Sequence, residues 1–419
     1  ITIIALIFSI NPYMSLTGGY KRFEGLIETC TYIFLFFAIV RFINTESKLN
    51  LLINTIVITA VVTSIYGFMQ YFGKDPYVWS SNNIERIFST FGNPVFYSAY
   101  LITSLPLSLA LYLGYKAPAG KTSGVPFYHR RIWKDIAYGI CTLLIYTIFW
   151  HTKTRACYVG LMIALPVFFI FLGKERIYAY KWKLSIMIVL FIIIGTFYSS
   201  RPESSVFSYF AREITLKKEQ NTSIENKAAN KPKPSDRSFL VNKLSGSSFN
   251  RYYQFKTGLR IFNEYPFLGI GPDTLGIIYQ KHLAEVFTRR VEDEFWPRHD
   301  RIHNDVLDTV VSKGAIGLTA YIWLICAYFW LVWKFLKRVA GYVLRVTGCG
   351  LRYTNHTKTE VTIYHQSSIV NQQLSIDKGL LVVSLGSGIL GYLVQNEFSF
   401  GNTPIAALFW TLIALTVVV

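Results

Sequence analysis

Four short words in this chain hold the residues able to do chemistry. His151-Thr152-Lys153-Thr154-Arg155-Ala156 joins two apolar stretches by a few residues, and Arg155 opens the second of them. A helix N-terminus disfavours a cation and attracts an anion. An arginine there either snorkels to lipid phosphate or helps the helix end bind an anion. Arg251 and Arg260 lie on a second stretch. Nine residues at about 100° each set them about 180° apart on a helix, so they cannot both face one ligand. Arg251 lies beside the aromatic face of Tyr252 and Phe255; the plain alternative is an arginine turned to solvent or headgroups. His299-Asp300-Arg301-Ile302-His303-Asn304-Asp305 brings two histidines four residues apart. Two such histidines leave a tetrahedral zinc site half made, whereas one histidine near neutrality can act as a general base or simply pack. Arg86-Ile87-Phe88-Ser89-Thr90-Phe91-Gly92-Asn93-Pro94 ends in a turn that launches a helix.

The elements that must position these words are membrane helices. The chain has 419 residues, 52% hydrophobic and only 16% charged, with mean hydropathy +0.34. Soluble domains carry about 25% charge, and here the apolar residues come in blocks. These values exclude a soluble enzyme, a disordered chain and a fibrous repeat. Ten stretches approach the roughly 20 apolar residues that cross a bilayer: 1–16, 24–41, 50–72, 95–115, 134–151, 156–172, 184–200, 314–336, 378–395 and 402–419. The expected fold is an all-α polytopic membrane protein of about ten helices. The first stretch has no initiator Met and the last no polar flank, so further helices beyond these ends fit the same reading.

Net charge is +18. One set of alternate loops, 42–49 with Arg41, 116–134, 173–183 and 334–378, holds with Asp135 18 Lys+Arg against five acids. The positive-inside rule makes that set cytoplasmic, and most of the charge is then topology and contact with anionic membrane lipid, not nucleic-acid binding. Residues 201–313 form one long loop on the outer side, with 18 Lys+Arg against 14 acids. The chain thus divides into membrane helices over 1–200, an outer loop over 201–313, and membrane helices with a polar cytoplasmic segment (338–376) over 314–419. Within the loop, the Lys/Pro-rich stretch 217–248 is expected to be a mobile insertion. Tyr252, Phe255, Leu259 and Phe262 mark a helical face over 248–262, Pro266 and Gly269-Ile270-Gly271-Pro272 a turn, and 273–288 a second helix.

The five cysteines imply no disulfide framework, and no CxxC, Walker, GxSxG or HExxH word is present. All four words lie on the outer side at the bilayer edge. Several arginines and a histidine at that level suit a phosphate-bearing lipid headgroup, because guanidinium binds phosphate oxygens bidentately. A transporter would place its charged residues near mid-membrane on broken spans, and a scaffold would not need them gathered at one level.

The ordered set of words resembles the O-antigen ligase and O-antigen polymerase superfamily of bacterial inner-membrane proteins. The resemblance runs through Ser15-Leu16-Thr17-Gly18-Gly19-Tyr20, the tract 86–93, Thr152-Lys153-Thr154-Arg155-Ala156, and Asn250-Arg251 through Pro266-Phe267-Leu268-Gly269. It continues in Ile302-His303-Asn304-Asp305, Lys313-Gly314-Ala315-Ile316-Gly317 and Asn396-Glu397-Phe398-Ser399-Phe400. The resemblance implies transfer of a glycan from undecaprenyl pyrophosphate at the periplasmic face, with inversion and with neither metal nor other cofactor. The acceptor is lipid A-core for a ligase or a second lipid-linked repeat for a polymerase. It implies catalytic roles for Arg155, Arg251 and His303, with Arg86, Arg260, His299 and Asn304 as substrate-binding candidates. The long insertion at 217–248, the long segment 338–376 and Val95 where Asn is common depart from the family pattern and leave the subfamily open.

Overall fold

The computed structural model describes residues 1–20, 22–77, 86–114, 125–199, 247–286, 301–350, 377–399 and 401–419. The stretch 217–246, residues 351–376 and His299 lie outside the described residues. Among those described, every regular element is helical. The helices are α1 (Thr2–Ile7), α2 (Pro12–Thr17), α3 (Leu26–Phe42), α4 (Glu46–Tyr71), α5 (Pro94–Leu113), α6 (Val125–His151), α7 (Arg155–Leu172), α8 (Lys174–Ala179) and α9 (Lys181–Ser199). They continue with α10 (Ser247–Glu264), α11 (Leu275–Val286), α12 (Asp305–Gly350), α13 (Lys378–Asn396) and α14 (Thr403–Val418).

Seven of these are long and apolar enough to cross a membrane: α4, α5, α6, α7, α9, α12 and α13. The protein is a polytopic membrane protein. Helices α3 and α14, of 17 and 16 residues, pack on each other. The first expected span does not form. Residues 1–16 break into two six-residue helices, because Pro12 has no N–H to donate and Asn11 caps a fresh start by accepting from the Met14 N–H at 3.0 Å.

Helices α5 and α13 run through the centre, buried along nearly their whole length. Small residues allow this. A Cβ on Gly160 of α7 would lie 2.6 Å from the Gly391 carbonyl oxygen of α13, and one on Gly388 would lie 2.6 Å from that of Thr103 in α5. Backbones approach this closely in membrane bundles when the contact residues are small.

The loops divide between two ends of the bundle as the charge count predicts. At one end the Asp377 N–H donates to the Gly114 carbonyl at 3.3 Å, and Arg176 pairs with Asp377 at 3.4 Å. There too Lys183 pairs with Asp135 at 2.7 Å and Lys378 with Glu46 at 3.2 Å. At the other end the Ile87 N–H donates to the His151 carbonyl at 3.2 Å, Asn304 bonds Glu397 at 2.9 Å, and the Thr403 hydroxyl donates to Glu28 at 2.7 Å. All of the described site residues lie at this second end.

Candidate active site

The loop between α6 and α7 is short enough to force Lys153 into the left-handed region (φ 48°). Thr154 stands before α7 but does not cap it with its side chain. Its hydroxyl lies 3.3 Å from the Pro94 carbonyl and accepts from Arg86 Nη2 at 2.9 Å. Arg86 Nε donates to the Thr152 carbonyl at 3.0 Å. The start of this 18-residue helix therefore has Arg86 clamped beside it and Arg155, exposed, as its first residue. Asn93 caps α5 and Pro94 starts it, the launching turn expected from the sequence.

Arg251 reaches this cluster from α10. Its buried face runs through Gln254, Thr257, Gly258 and Ile261. Arg251 precedes Gly258 by seven residues, about two turns, and so lies on the same face. Burial lowers the Arg251 pKa, and the nearby charge of Arg155 lowers it further. Arg86 is lowered first by burial and also by Arg155. Both remain protonated at neutral pH, since guanidinium does not titrate there. Among the described residues neither Arg86 nor Arg251 forms an ion pair. The two half-buried cations and the exposed Arg155 beside them repel one another unless an anion joins them. Arg260 is on the opposite face of α10, exposed, and pairs with Glu285 at 3.4 Å, the separation the 180° arithmetic predicts.

The His303 loop packs on the same helix. Ile302 is fully buried against Gly258, where a Cβ would collide with its Cδ1. His303 itself has φ 59°. A non-glycine residue held there stores about 1–3 kcal/mol of strain, which persists only where the surroundings over-determine it. Asn304 does much of that holding. Its Oδ1 caps α12 by accepting from the Leu307 N–H at 2.8 Å, and its Nδ2 donates to the Glu397 carbonyl and carboxylate, both at 2.9 Å. Burial raises the Glu397 pKa, and the bond from Asn304 opposes that rise.

Two turns lock together beneath the loop. Gly314 leaves helical geometry (φ 64°) and kinks α12. The turn 266–271 lies against this kink through Ile270 N–H to Val311 O (2.9 Å), Gly271 N–H to Ser312 O (3.0 Å) and Ala315 N–H to Pro266 O (2.8 Å). Gly269 has φ 68°, and a Cβ there would stand 2.5 Å from the Val311 oxygen. The N-terminal words dock on the same turn. Ser15 Oγ donates to the Pro272 carbonyl at 2.9 Å, and the Gly19 N–H donates to Asp273 Oδ2 at 2.6 Å.

Residues 140–322, which contain Arg155, Arg251 and His303, match the family model described as O-antigen ligase. No curated protein matches the chain. The matched stretch spans two of the helices and both loops that bring the cluster together, and its similarity to that family supports a role in membrane glycan transfer. Arg86, which is clamped to Thr152 and Thr154, lies outside the matched residues.

One constellation is absent from the sequence-based set. Arg301 bonds Glu24 and lies 3.2 Å from Asp273, and Asp308 Oδ1 accepts from the Ile302 N–H at 2.9 Å. Burial, the larger effect, raises the Glu24 pKa despite Arg301. These residues join the N-terminal segment, the turn after α10 and the His303 loop. The only sequence signal for them was the place of Arg301 inside the histidine-containing word.

Proposed function

We propose that the protein transfers a glycan from undecaprenyl pyrophosphate to an acceptor hydroxyl at the periplasmic face of the bacterial inner membrane, with lipid A-core as acceptor. The observation that carries this reading is the crowding of Arg86, Arg155 and Arg251 at the start of α7, with the His303 loop packed on the helix that bears Arg251. The periplasmic side follows from the positive charge of the opposite loops.

The acceptor oxygen attacks the anomeric carbon. Its bond to that carbon forms as the bond from carbon to the bridging phosphate oxygen breaks, and the configuration inverts. The electron pair leaves with undecaprenyl pyrophosphate, where charge grows. Arg155 and Arg251, with Arg86, stabilise that charge in a partly desolvated site. The acceptor proton passes to an imidazole nitrogen of His303. Asn304 positions His303 by fixing its loop. Arg260, on the outer face of α10, is left to contact only the outer part of a glycan, and His299 sits in the segment leading into the same loop. The balance needs neither a metal nor a nucleotide sugar. An apolar groove of about 420 Å³ between α6, α7 and α9, lined by Tyr146, Trp150, Leu165, Phe169 and Phe191, suits the isoprenoid chain. Its upper end at Trp150 lies two residues from Thr152. In this division, 1–200 and 314–419 form the membrane body and 201–313 the periplasmic cap.

Arg155→Ala, Arg251→Ala and His303→Ala are each expected to abolish transfer from a lipid-linked glycan to lipid A-core with normal membrane insertion, and EDTA is expected to leave the wild type active. Full activity in all three variants overturns the assignment. Extension of a second lipid-linked repeat in place of lipid A-core makes the protein a polymerase.

A further inference from the structure

A second cavity lies on the other side of the His303 loop. It encloses about 250 Å³ between the outer ends of α3, α12, α13 and α14 and the Pro272–Asp273 turn. Arg301 and Asp305, two residues to either side of His303, stand on its wall, while Ile302 turns the other way, onto α10. The loop that carries His303 therefore has the Arg251 helix on one side and this cavity on the other.

The walls hold five carboxyl groups (Glu24, Glu28, Asp273, Asp305 and Asp308) and two basic side chains (Arg301 and Lys313), an excess of acid over base. Most of these groups are satisfied within the protein. Arg301 joins Glu24 and Asp273. The Tyr321 hydroxyl donates to Asp305 at 2.6 Å, and the hydroxyls of Thr403 and Tyr32 donate to Glu28. Asp308 differs. It is 8% exposed. One oxygen accepts from Ile302 N–H, but Oδ2 is buried and has no hydrogen-bond partner among the described residues. A buried carboxylate oxygen left without a donor is costly, and such orphans call for an explanation. This one lines a polar cavity, and what it lacks is a donor.

The chemistry of the walls narrows the occupant. Pyrophosphate accepts hydrogen bonds and carries negative charge, so walls with five carboxyl groups against two basic side chains disfavour it. Among the described residues no three His, Cys, Asp or Glu side chains are arranged to hold a metal ion. A sugar ring meets both demands: hydroxyl donors around its edge, and apolar C–H faces for Phe409 and Trp410 on the cavity wall. The volume falls just below the roughly 300–1,000 Å³ of sites for drug-sized ligands, which suits one ring.

We propose that this cavity binds the terminal sugar ring of the acceptor, with a ring hydroxyl donating to Asp308 Oδ2, and presents the attacking hydroxyl to His303 from the side away from the arginine cluster. The inference rests on the transferase reading above and names where its second substrate sits.

The test uses the full-length protein in detergent, undecaprenyl-pyrophosphate-linked glycan as donor, and whichever acceptor the wild type extends. Asp308→Asn keeps an oxygen for the Ile302 N–H and puts a donor where the orphan acceptor stood. The acceptor KM is expected to rise about ten- to hundredfold, the loss of one hydrogen bond to a charged group. The donor KM stays unchanged in this variant. Thr309→Trp, which fills the cavity, is expected to stop transfer and spare the slow hydrolysis of donor without acceptor. The acceptor alone should raise the melting temperature of the wild type. A wild type that transfers but is not stabilised by acceptor overturns the sugar site, as does an Asp308→Asn variant with unchanged acceptor KM or raised donor KM. Inhibition by EDTA reversed by calcium overturns it in favour of a cation. If the wild type neither transfers nor hydrolyses the donor, the transferase reading fails instead.

Discussion

Replacing Arg251 by Gln should move stability and activity in opposite directions. Arg251 is half-buried, forms no ion pair among the described residues, and is disfavoured in its charged form first by burial and then by Arg155. In the empty protein its charge is a burden. Gln removes that charge and keeps much of the side chain's volume. Relief of the repulsion, screened as in a half-wet site, is of order 1 kcal/mol, or about 1–2 °C in melting temperature for a chain this long. The same charge is needed when pyrophosphate departs. Losing one preorganised electrostatic contact of this kind lowers kcat by about 100- to 1,000-fold. Ligand response separates the two effects. Undecaprenyl pyrophosphate at a hundred times its Kd should stabilise the wild type by about 2.7 kcal/mol, and the variant by much less. The assays are thermal melting in detergent with and without undecaprenyl pyrophosphate, and transfer from a lipid-linked glycan. An Arg251→Gln protein that melts several degrees lower when empty, or that transfers at the wild-type rate, refutes the argument that Arg251 is held for an anion.

Two further perturbations test the scaffold. Gly92 and Gly269 share φ 68°, but a Cβ on Gly92 meets open space and one on Gly269 meets the backbone of residues 311–313. Gly92→Ala should cost only the left-handed backbone penalty of about 1–2 kcal/mol, whereas Gly269→Ala should undock the turn from the α12 kink, lowering both melting temperature and transfer; equal effects would show that the docking is dispensable. Because the Glu24 pKa is raised in the folded protein, its contribution is fully present below the unfolded pKa and is lost as pH rises through the folded one. Glu24→Gln abolishes that loss, so the melting temperature of the variant relative to wild type should climb with pH from the ordinary carboxylate range to the raised Glu24 value; a difference that stays flat over about pH 4 to 7 would contradict the burial argument.

The sequence by itself determined what depends on near neighbours. Apolar runs gave the membrane helices, the sum of loop charges gave the pairing of loops at each end, and a 100° step per residue separated Arg251 from Arg260. Asn93-Pro94 set the start of α5, because a side-chain cap and a missing N–H act within a few residues. At residues 1–16 apolar content misled, because the break that Pro12 imposes outweighs it and splits the stretch into two short helices. The tertiary structure decided the rest. The bond from Gly19 to Asp273 spans 254 residues and that from Asn304 to Glu397 spans 93, and such pairs leave no periodicity to read. That Arg86 is clamped to Thr152 and Thr154, that His303 is held in a strained backbone, and that Asp308 faces a cavity with an unsatisfied oxygen all follow from how separate segments pack. A segment's own residues fix its helix and its apolar face, but only its neighbours fix which polar groups are left without partners.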